Sequence, residues 1–448
     1  MYHKILEKLK DKKLAILGFG MEGKSTYRFI KKYLDIPLTI IDKKNVLEEN
    51  PDLENDKNCT CVWGDDYLNH LDGFDLILKS PGVITKDLDT SKYPFTSELE
   101  LLLEVAHHQM IGITATKGKS TTCTLVYEAL KKNGKDVYLL GNIGKAIFDE
   151  LENFKEDTWI VVEMSALQLE FVKYSPHIAA ILNLYQDHLD HSGTVEHYHA
   201  NKLNIFKYQD SSDYRIYCKD IEPLNSYMND SYLGKAYAIT LSQDSSLNTT
   251  SLRGNKVVLN GKELFDKTSQ TSLIGEHNLR NIMVALTISE ILNLDLEKTL
   301  QAIYDFKPLE HRIEYVGTYG EIIYYNDSIA TIPMATISAL KSLENVDTLI
   351  FGGMDRGIDY QELIDYLNKG TVRNLICMPT TGHKIGHLIT NPKVNCYFVD
   401  QLEEAVSKAK EITLKNHICI MSPAASSYEY FKNFEEKGKA YKNLVKNS

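Results

Sequence analysis

The chain has 448 residues, 43% hydrophobic and 25% charged, which is ordinary globular usage and too long for a single core. A formal charge of −11 argues against a nucleic-acid-binding face, since affinity for phosphate backbones comes largely from Lys and Arg, but leaves room for a basic pocket around a small anion. Seven scattered cysteines, a charged opening without the apolar stretch of a signal peptide, and no apolar run of roughly 18 residues make the expectation a soluble cytoplasmic protein with reduced thiols.

In chain order, the first element is a short apolar strand, Lys13–Leu17, bounded by glycine. Gly18, Gly20 and Gly23 then spell G-x-G-x-x-G ahead of a helical pattern, and a second strand, PLTIID, ends at Asp42. Strand, glycines, helix and acid in that order form the dinucleotide fingerprint. The glycines let the backbone approach a diphosphate at a helix N-terminus, and the acid takes ribose hydroxyls. The same glycines would also suit a tight strand-to-helix turn that binds nothing. Cys59 and Cys61, one residue apart, have no second Cys/His pair at zinc-finger spacing. Another strand, FDLILKSPGV, ends in a ligand-facing loop at Ser80, Pro81 and Gly82.

The stretch MIGITATKGKSTTC, Met110 to Cys123, reads as strand, loop and helix. The usual phosphate loop, G-x-x-x-x-G-K-[ST], asks for glycine where Ile113 stands, and Gly112 comes one residue early. Even so, Thr116, Lys117, Gly118, Lys119 and Ser120 fall at a helix N-terminus, where unpaired N–H groups and the macrodipole favour phosphate. Lys119 would reach the β- and γ-phosphates, and Ser120 would ligate Mg2+. NKLN at Asn201 lacks the acid of a guanine motif, so ATP fits better than GTP.

Glu163 closes the strand in TWIVVEMSALQLE, where a carboxylate either holds Mg2+ or simply ends a strand in solvent. HIAAILNLYQDHLDH is a further strand running into a polar stretch with His188, His191, His197 and His199. H-E-x-x-H and a cysteine pair are both missing, so one histidine presented beside an ATP site is a better reading than zinc. Lys202, in HANKLNIF, reads as a solvated helix lysine. After Asp210 come short strands and turns, including NKVVLNGKEL, a small β excursion. LIGEHNLRNIMVALTISEILN is a loop feeding an amphipathic helix. From about Asp305, GEIIYYNDS, VDTLIFGGMDRGIDY, NLICMPTTG and HICIMSPAASS are strands ending in Gly/Ser/Asp-rich loops, separated by helical stretches. The pattern is α/β throughout, with segments 1–102, 103–306 and 307–448.

Ten motifs in order, GITATKGKST, GNIGKA, VVEMSALQLE, ILNLYQDHLDH, NKLNIF, LIGEHNLRN, HRIE, YYNDSIAT, GGMDRGIDY and SPAASSYEYFKNFEEKG, resemble the ATP-dependent muramyl ligases of peptidoglycan synthesis over essentially the whole chain. That resemblance implies three domains: a Rossmann-like N-terminal domain for a UDP-linked substrate, a central P-loop ATPase-type α/β domain, and a Rossmann-like C-terminal domain for the amino acid. It also accounts for the early glycine, because the family's loop runs G-x-x-G-[ST]-x-G-K-[ST], with Ala115 here in place of the middle glycine.

The residues it implies fall into groups. ATP would contact Gly112, Thr114, Thr116, Gly118, Lys119, Ser120, Thr121, Asn278, Asn281, Arg312 and Asp327. Two Mg2+ ions would be held by Ser120, Glu163, His188 and a carbamate on Lys202, with Lys119, Glu163, His188 and Lys202 catalytic. The UDP-linked substrate would meet Gly18, Gly20, Met21, Glu22, Gly23, Asp42, Ser80, Pro81 and Gly82, and its muramoyl end Asn142, Ser165 and Gln168. The incoming amino acid would meet Thr331, Arg356, Ser427 and Phe434. The implied reaction activates the carboxylate of UDP-N-acetylmuramoyl-L-alanine as an acyl phosphate, which the amine of D-glutamate attacks. The enzyme is expected to be a monomer, with no nucleic-acid partner and no membrane insertion.

Two departures bear on the amino acid: Ile329 and Arg356 stand where the family usually has lysines. Arg keeps the charge but grips a carboxylate bidentately, so L-glutamate or another amino acid is an alternative. A non-catalytic protein that binds a UDP-linked precursor is the alternative of another class.

Overall fold

The computed structural model describes residues 1–85, 88–141, 145–186, 194–228, 231–307, 310–428 and 430–447. Its strands form three sheets. In the first, β1 (Leu14–Leu17), β2 (Leu38–Asp42), β3 (Cys59–Trp63), β4 (Leu76–Lys79) and β5 (Phe95–Thr96) are all parallel, in the order β3-β2-β1-β4-β5. β1 is LAIL and is buried at every position, as an apolar strand covered on both faces should be. The winding reverses at β1, with β2 on one side and β4 on the other. The loops after β1 and β4 therefore face one crevice, where open α/β sheets bind ligands.

The second sheet contains β6 (Met110–Thr114), β7 (Val137–Gly141), β8 (Trp159–Glu163), β9 (Ile178–Ile181), β10 (Tyr214–Cys218), β11 (Lys235–Thr240), β12 (Thr249–Arg253), β13 (Lys256–Leu259) and β14 (Lys262–Asp266). Its order is β14-β13-β12-β11-β10-β9-β6-β8-β7, parallel from β7 to β12 and antiparallel beyond. The expected β excursion is thus an extension of this sheet. Asn260 (φ 50°) and Gly261 (φ 82°) turn β13 into β14, the positive-φ pair a tight hairpin needs.

One core joins the first two sheets. It runs from Leu14, Ile16 and Leu38 through Leu99, Leu102 and Leu103 of helix Glu98–Ala106 to Met110, Ile160 and Val162. Residue 102, where the sequence suggests a boundary, lies inside that helix. Packing accordingly gathers Met1–Leu184, His191–Thr268 and Arg280–Ile303 into one compact unit.

The other unit takes in Tyr185–Asp190, Ser269–Leu279 and Tyr304–Ser448. It holds the third sheet: β15 (Glu314–Tyr319), β16 (Ile322–Asn326), β17 (Val346–Gly353), β18 (Asn374–Thr380), β19 (Asn395–Phe398) and β20 (Ile418–Met421), ordered β15-β16-β20-β17-β18-β19. Only the β15–β16 hairpin is antiparallel. β20 inserts between β16 and β17, so the loops after β17 and β20 emerge side by side. No described helix is long and apolar enough to cross a membrane.

Candidate active site

The crevice of the first sheet is built on two glycines. Gly18 sits at φ 88°, and a Cβ there would come 2.6 Å from Val83 Cγ2. A Cβ on Gly23 would come 2.1 Å from the Gly18 carbonyl oxygen, so helix Met21–Tyr33 can start hard against β1 only with glycine there. Ser80 Oγ donates to Gly18 O at 2.7 Å and ties the β4 loop to the β1 loop. Asp42 accepts the N–H groups of Phe19 at 2.6 Å and Lys44 at 2.9 Å, so it first braces the turn. A carboxylate has about four lone-pair sites, which leaves capacity for a sugar hydroxyl.

A cavity of about 600 Å³ opens over this turn, lined by Gly18, Gly20, Met21, Glu22, Asp42, Ser80, Pro81 and Gly82. Gly23 stands behind the lining as a packing residue. Lys43, Asp65, Tyr67, Val83 and Ile84, which motif reasoning missed, complete the wall.

Beside this cavity is a buried polar cluster. Gln168 Nε2 donates to Glu22 at 3.0 Å, while Gln168 Oε1 accepts from the Ser165 N–H at 3.0 Å and hydroxyl at 3.1 Å. The expected UDP-side Glu22 and muramoyl-side Ser165 and Gln168 are therefore brought together. Lys79, only 5% exposed, lies 3.8 Å from Glu170. Burial lowers its pKa and raises that of Glu22. Glu98, also missed, accepts from Thr26 Oγ1 at 2.9 Å and Phe148 N–H at 3.2 Å. Burial, reinforced by Glu22, holds its carboxyl well above the usual range. Asn142 lies outside the described residues.

The phosphate loop follows β6 and leads into helix Lys119–Lys132. Gly118 caps that helix at φ 95°, and a Cβ there would come 2.8 Å from Asn281 Oδ1. Gly112 lies within β6, where a Cβ would meet Pro176 at 2.6 Å and Met164 at 2.8 Å; packing of the sheet gives this glycine its reason. Ala115 is fully buried and does not occupy positive φ, so the loop makes no demand there that alanine cannot meet. Lys119 Nζ folds back on the loop carbonyls of Ala115 (2.9 Å) and Thr116 (3.2 Å). Thr121 is buried in the first helical turn.

Asn183, just beyond β9, was not singled out by sequence. Its side chain accepts from Lys117 N–H at 2.9 Å and donates to Lys117 O at 2.8 Å, and its carbonyl takes the Thr116 N–H at 3.1 Å.

At two positions the solvated alternative does not hold. Glu163 is paired in register with Ile113 and is 1% exposed, not a solvated strand end. Lys202 is likewise 1% exposed: its Nζ donates to Thr114 Oγ1 at 3.2 Å and Ala115 O at 2.9 Å. On helix Val195–Lys207, Tyr198, Lys202, Ile205 and Phe206 are all buried at i, i+4, i+7, i+8 spacing, so the apolar stripe carries Lys202 inward. Tyr198 OH reaches Thr116 Oγ1 at 3.4 Å. His199 is buried and His197 exposed, while His188 and His191 lie outside the described residues.

In the other unit, Asp327 is 4% exposed and accepts from Ile313 N–H at 3.2 Å and Ser422 Oγ at 2.7 Å. Asn278 Nδ2 donates to Ile274 O at 2.8 Å. Arg312 and Thr331 are half-buried, and the Phe434 ring meets His311 edge-on at 6.1 Å. The loops after β17 and β20 are tied where Met354 N–H donates to Ser426 O at 2.9 Å, which brings the segments of Arg356 and Ser427 together. Ser427 Oγ is buried with no hydrogen-bond partner among the described residues. Lys437 reaches Gly352 O at 2.9 Å from helix Phe434–Lys446, and burial pulls its pKa down to about 8.

Residues 113–289 match the Mur ligase middle domain. The chain is 34% identical over 460 aligned residues to the UDP-N-acetylmuramoylalanine–D-glutamate ligase of Clostridium botulinum strain Loch Maree, covering 99% of this chain and 98% of that relative. This chain belongs to the Mur ligase family. The Clostridium kluyveri relative of the same name is 33% identical, over 98% of this chain and 97% of its own.

Solved structures share this Mur ligase's fold at low identity. A pseudomurein peptide ligase type C from Methanothermus fervidus gives a TM-score of 0.61 at 16% identity, covering 98% of this chain and 100% of that one. A UDP-N-acetylmuramate–alanine ligase from Thermotoga maritima gives 0.60 at 18%, covering 97% and 99%.

Proposed function

We propose that this Mur ligase joins the carboxylate of UDP-N-acetylmuramoyl-L-alanine to the amine of D-glutamate in the cytoplasm, with cleavage of ATP to ADP and phosphate. The observation that carries the reading is the convergence of buried Lys202 and loop-pinning Asn183 on the Thr114–Gly118 loop, beside which Glu163 ends the neighbouring strand. In this reading residues 1–102 bind the UDP moiety, 103–306 ATP, and 307–448 the amino acid.

The γ-phosphoryl group passes to the muramoyl-alanine carboxylate, forming an acyl phosphate and releasing ADP. Lys119, at the head of its helix, offsets the charge that develops on the phosphoryl oxygens. The neutral amine of glutamate attacks the acyl carbon, and the nitrogen gives up one proton. Collapse of the tetrahedral adduct breaks the C–O bond to phosphate, which leaves carrying that proton, so that the amide remains. Ser120 and Glu163 offer the hard oxygen donors that suit Mg2+, which when bound neutralises phosphate charge. A second ion would draw on His188 and on Lys202 carrying a carbamate. Arg356 and Ser427 hold the carboxylates of the amino acid; the unpartnered Ser427 hydroxyl is a buried donor suited to such a ligand.

Phosphate release is measured with UDP-N-acetylmuramoyl-L-alanine, ATP, Mg2+ and each enantiomer of glutamate. Release with the D-form alone is expected. Release with only the L-form corrects the substrate, and silence with every amino acid removes the enzyme reading in favour of a binding protein.

A further inference from the structure

The N-terminal edge of the central sheet lies at the opposite end of β6 from the phosphate loop, roughly 15 Å away for a strand of this length. Three neighbouring parallel strands, β10, β9 and β6, begin there. Just ahead of them stand Asp213, His177 and the pair His107–His108, the last two in the short turn His107–Gln109. Backbone bonds fix their alignment: His177 N–H donates to His107 O at 3.0 Å, and Tyr214 N–H to His177 O at 2.8 Å. As a result, one ligand atom each from His107, His108 and Asp213 lies within 4.8 Å of the other two.

We propose that His107, His108 and Asp213 form a binding site for a transition-metal dication of the zinc class, distinct from the Mg2+ positions of catalysis. Two imidazoles and one carboxylate suit Zn2+, Co2+ or Ni2+ rather than the all-oxygen shells of Mg2+ and Ca2+. Tetrahedral ligands at about 2.1 Å from an ion lie ~3.4 Å apart, so the three atoms, all within 4.8 Å of one another, close by no more than ~1.4 Å on binding. Imidazole rotation supplies that, since His107 is half-buried and His108 exposed.

Asp213 is already oriented. It is 2% exposed, with His177 Nδ1 at 2.8 Å from one oxygen and the Asp210 N–H donating to the other at 2.9 Å. Outer hydrogen bonds of this kind aim a ligating carboxylate. Neither the His107 nor the His108 imidazole makes a hydrogen bond among the described residues; the two rings lie 3.7 Å apart. Water completes the shell.

A second group of this type, Glu310, His311 and Glu314, already holds a cation: Lys442 Nζ lies 2.5 Å from Glu310 and 2.9 Å from Glu314. The ion at His107 would clamp the end of helix Glu98–Ala106 to the start of β10, a stabilising role.

The full-length protein, saturated with Mg2+, is titrated with Co2+ and then Zn2+. One equivalent of Co2+ with the visible absorption of nitrogen and oxygen ligation is expected, displaced by Zn2+, with a Zn2+-dependent rise in thermal midpoint. His108→Gln and His107→Gln should each lose that equivalent and the rise, while His197→Gln, in the histidine-rich stretch, keeps both. Identical binding by wild type and His108→Gln overturns the site, as does absence of any Co2+ equivalent in the wild type. Loss in His197→Gln with retention in His108→Gln overturns it too, and assigns the metal to the histidine-rich stretch.

Discussion

Asn183 grips Lys117 by both edges of its carboxamide, taking the N–H at 2.9 Å and giving to the carbonyl at 2.8 Å. The phosphate loop is thereby pinned to the end of β9 at the residue just before Gly118. Asn183→Ala removes both of these bonds, each worth about 0.5–1.5 kcal/mol. It also frees the loop that must present Lys119 and Ser120, and small misplacements at such sites lower rates by up to about 100-fold. The KM for ATP is expected to rise at least tenfold. Asn183→Asp should be worse than Ala for ATP, because it opposes the Lys117 carbonyl and adds negative charge beside the phosphates. An unchanged KM for ATP in both variants would show that other contacts hold the loop.

Lys202 is the residue on which the proposed chemistry turns. Lys202→Ala is expected to lose nearly all phosphate release, on the order of 1,000-fold, because a carbamate there would supply an oxygen ligand that alanine cannot. Short carboxylic acids added to the assay should partly restore it, by placing a carboxylate where the proposed carbamate would stand. Thermal denaturation of the variant separates this from unfolding, since Lys202 also donates to Thr114 and Ala115. Full activity without additive would remove the carbamate from the account.

A pH dependence is built into helix Glu98–Ala106. Burial pushes the Glu100 carboxyl up to about 7 from its ordinary 4.5, although it accepts the Lys173 N–H at 2.8 Å. The folded protein therefore keeps a proton that the unfolded chain has released. This contribution to stability is fully present below about 4.5 and is lost as pH rises through about 7. Glu100→Gln keeps the acceptor and drops the charge. It should flatten this part of the stability profile and exceed wild type at pH 8 by on the order of 2 kcal/mol. Urea denaturation at several pH values reads the difference; parallel profiles for the two proteins would refute it.

How much of this was legible in the sequence differs from residue to residue. The glycine turn after β1 and the loop before Lys119 could be read directly, because glycine at positive φ and a lysine at a helix start are local requirements. Charge alone makes Lys202 look solvated, and only the family resemblance assigns it to the site; its i, i+4, i+7, i+8 spacing with Tyr198, Ile205 and Phe206 also points it inward. Asn183 carried a fainter signal, a polar residue ending an apolar run. Lys79, Glu98 and Lys437 carried none, since their burial depends on segments far away in the chain that cover them. The shared core of the first two sheets was hidden for the same reason: a helix that continues across residue 102 looks no different from one that ends a domain.

Ser427 offers the last separation of binding from stability. Its hydroxyl is buried without a partner among the described residues, an arrangement that weakens the fold and is kept where a ligand supplies the missing bond. Ser427→Ala should leave the denaturation midpoint unchanged or slightly raised, yet raise the KM for glutamate about tenfold, the worth of one hydrogen bond to a charged group. Arg356→Lys keeps the charge and loses the fork that matches a carboxylate, so it should raise the same KM without changing the KM for ATP. Should Ser427→Ala destabilise the protein by more than about 1 kcal/mol while the KM for glutamate stays put, the hydroxyl is structural and the carboxylate is held elsewhere.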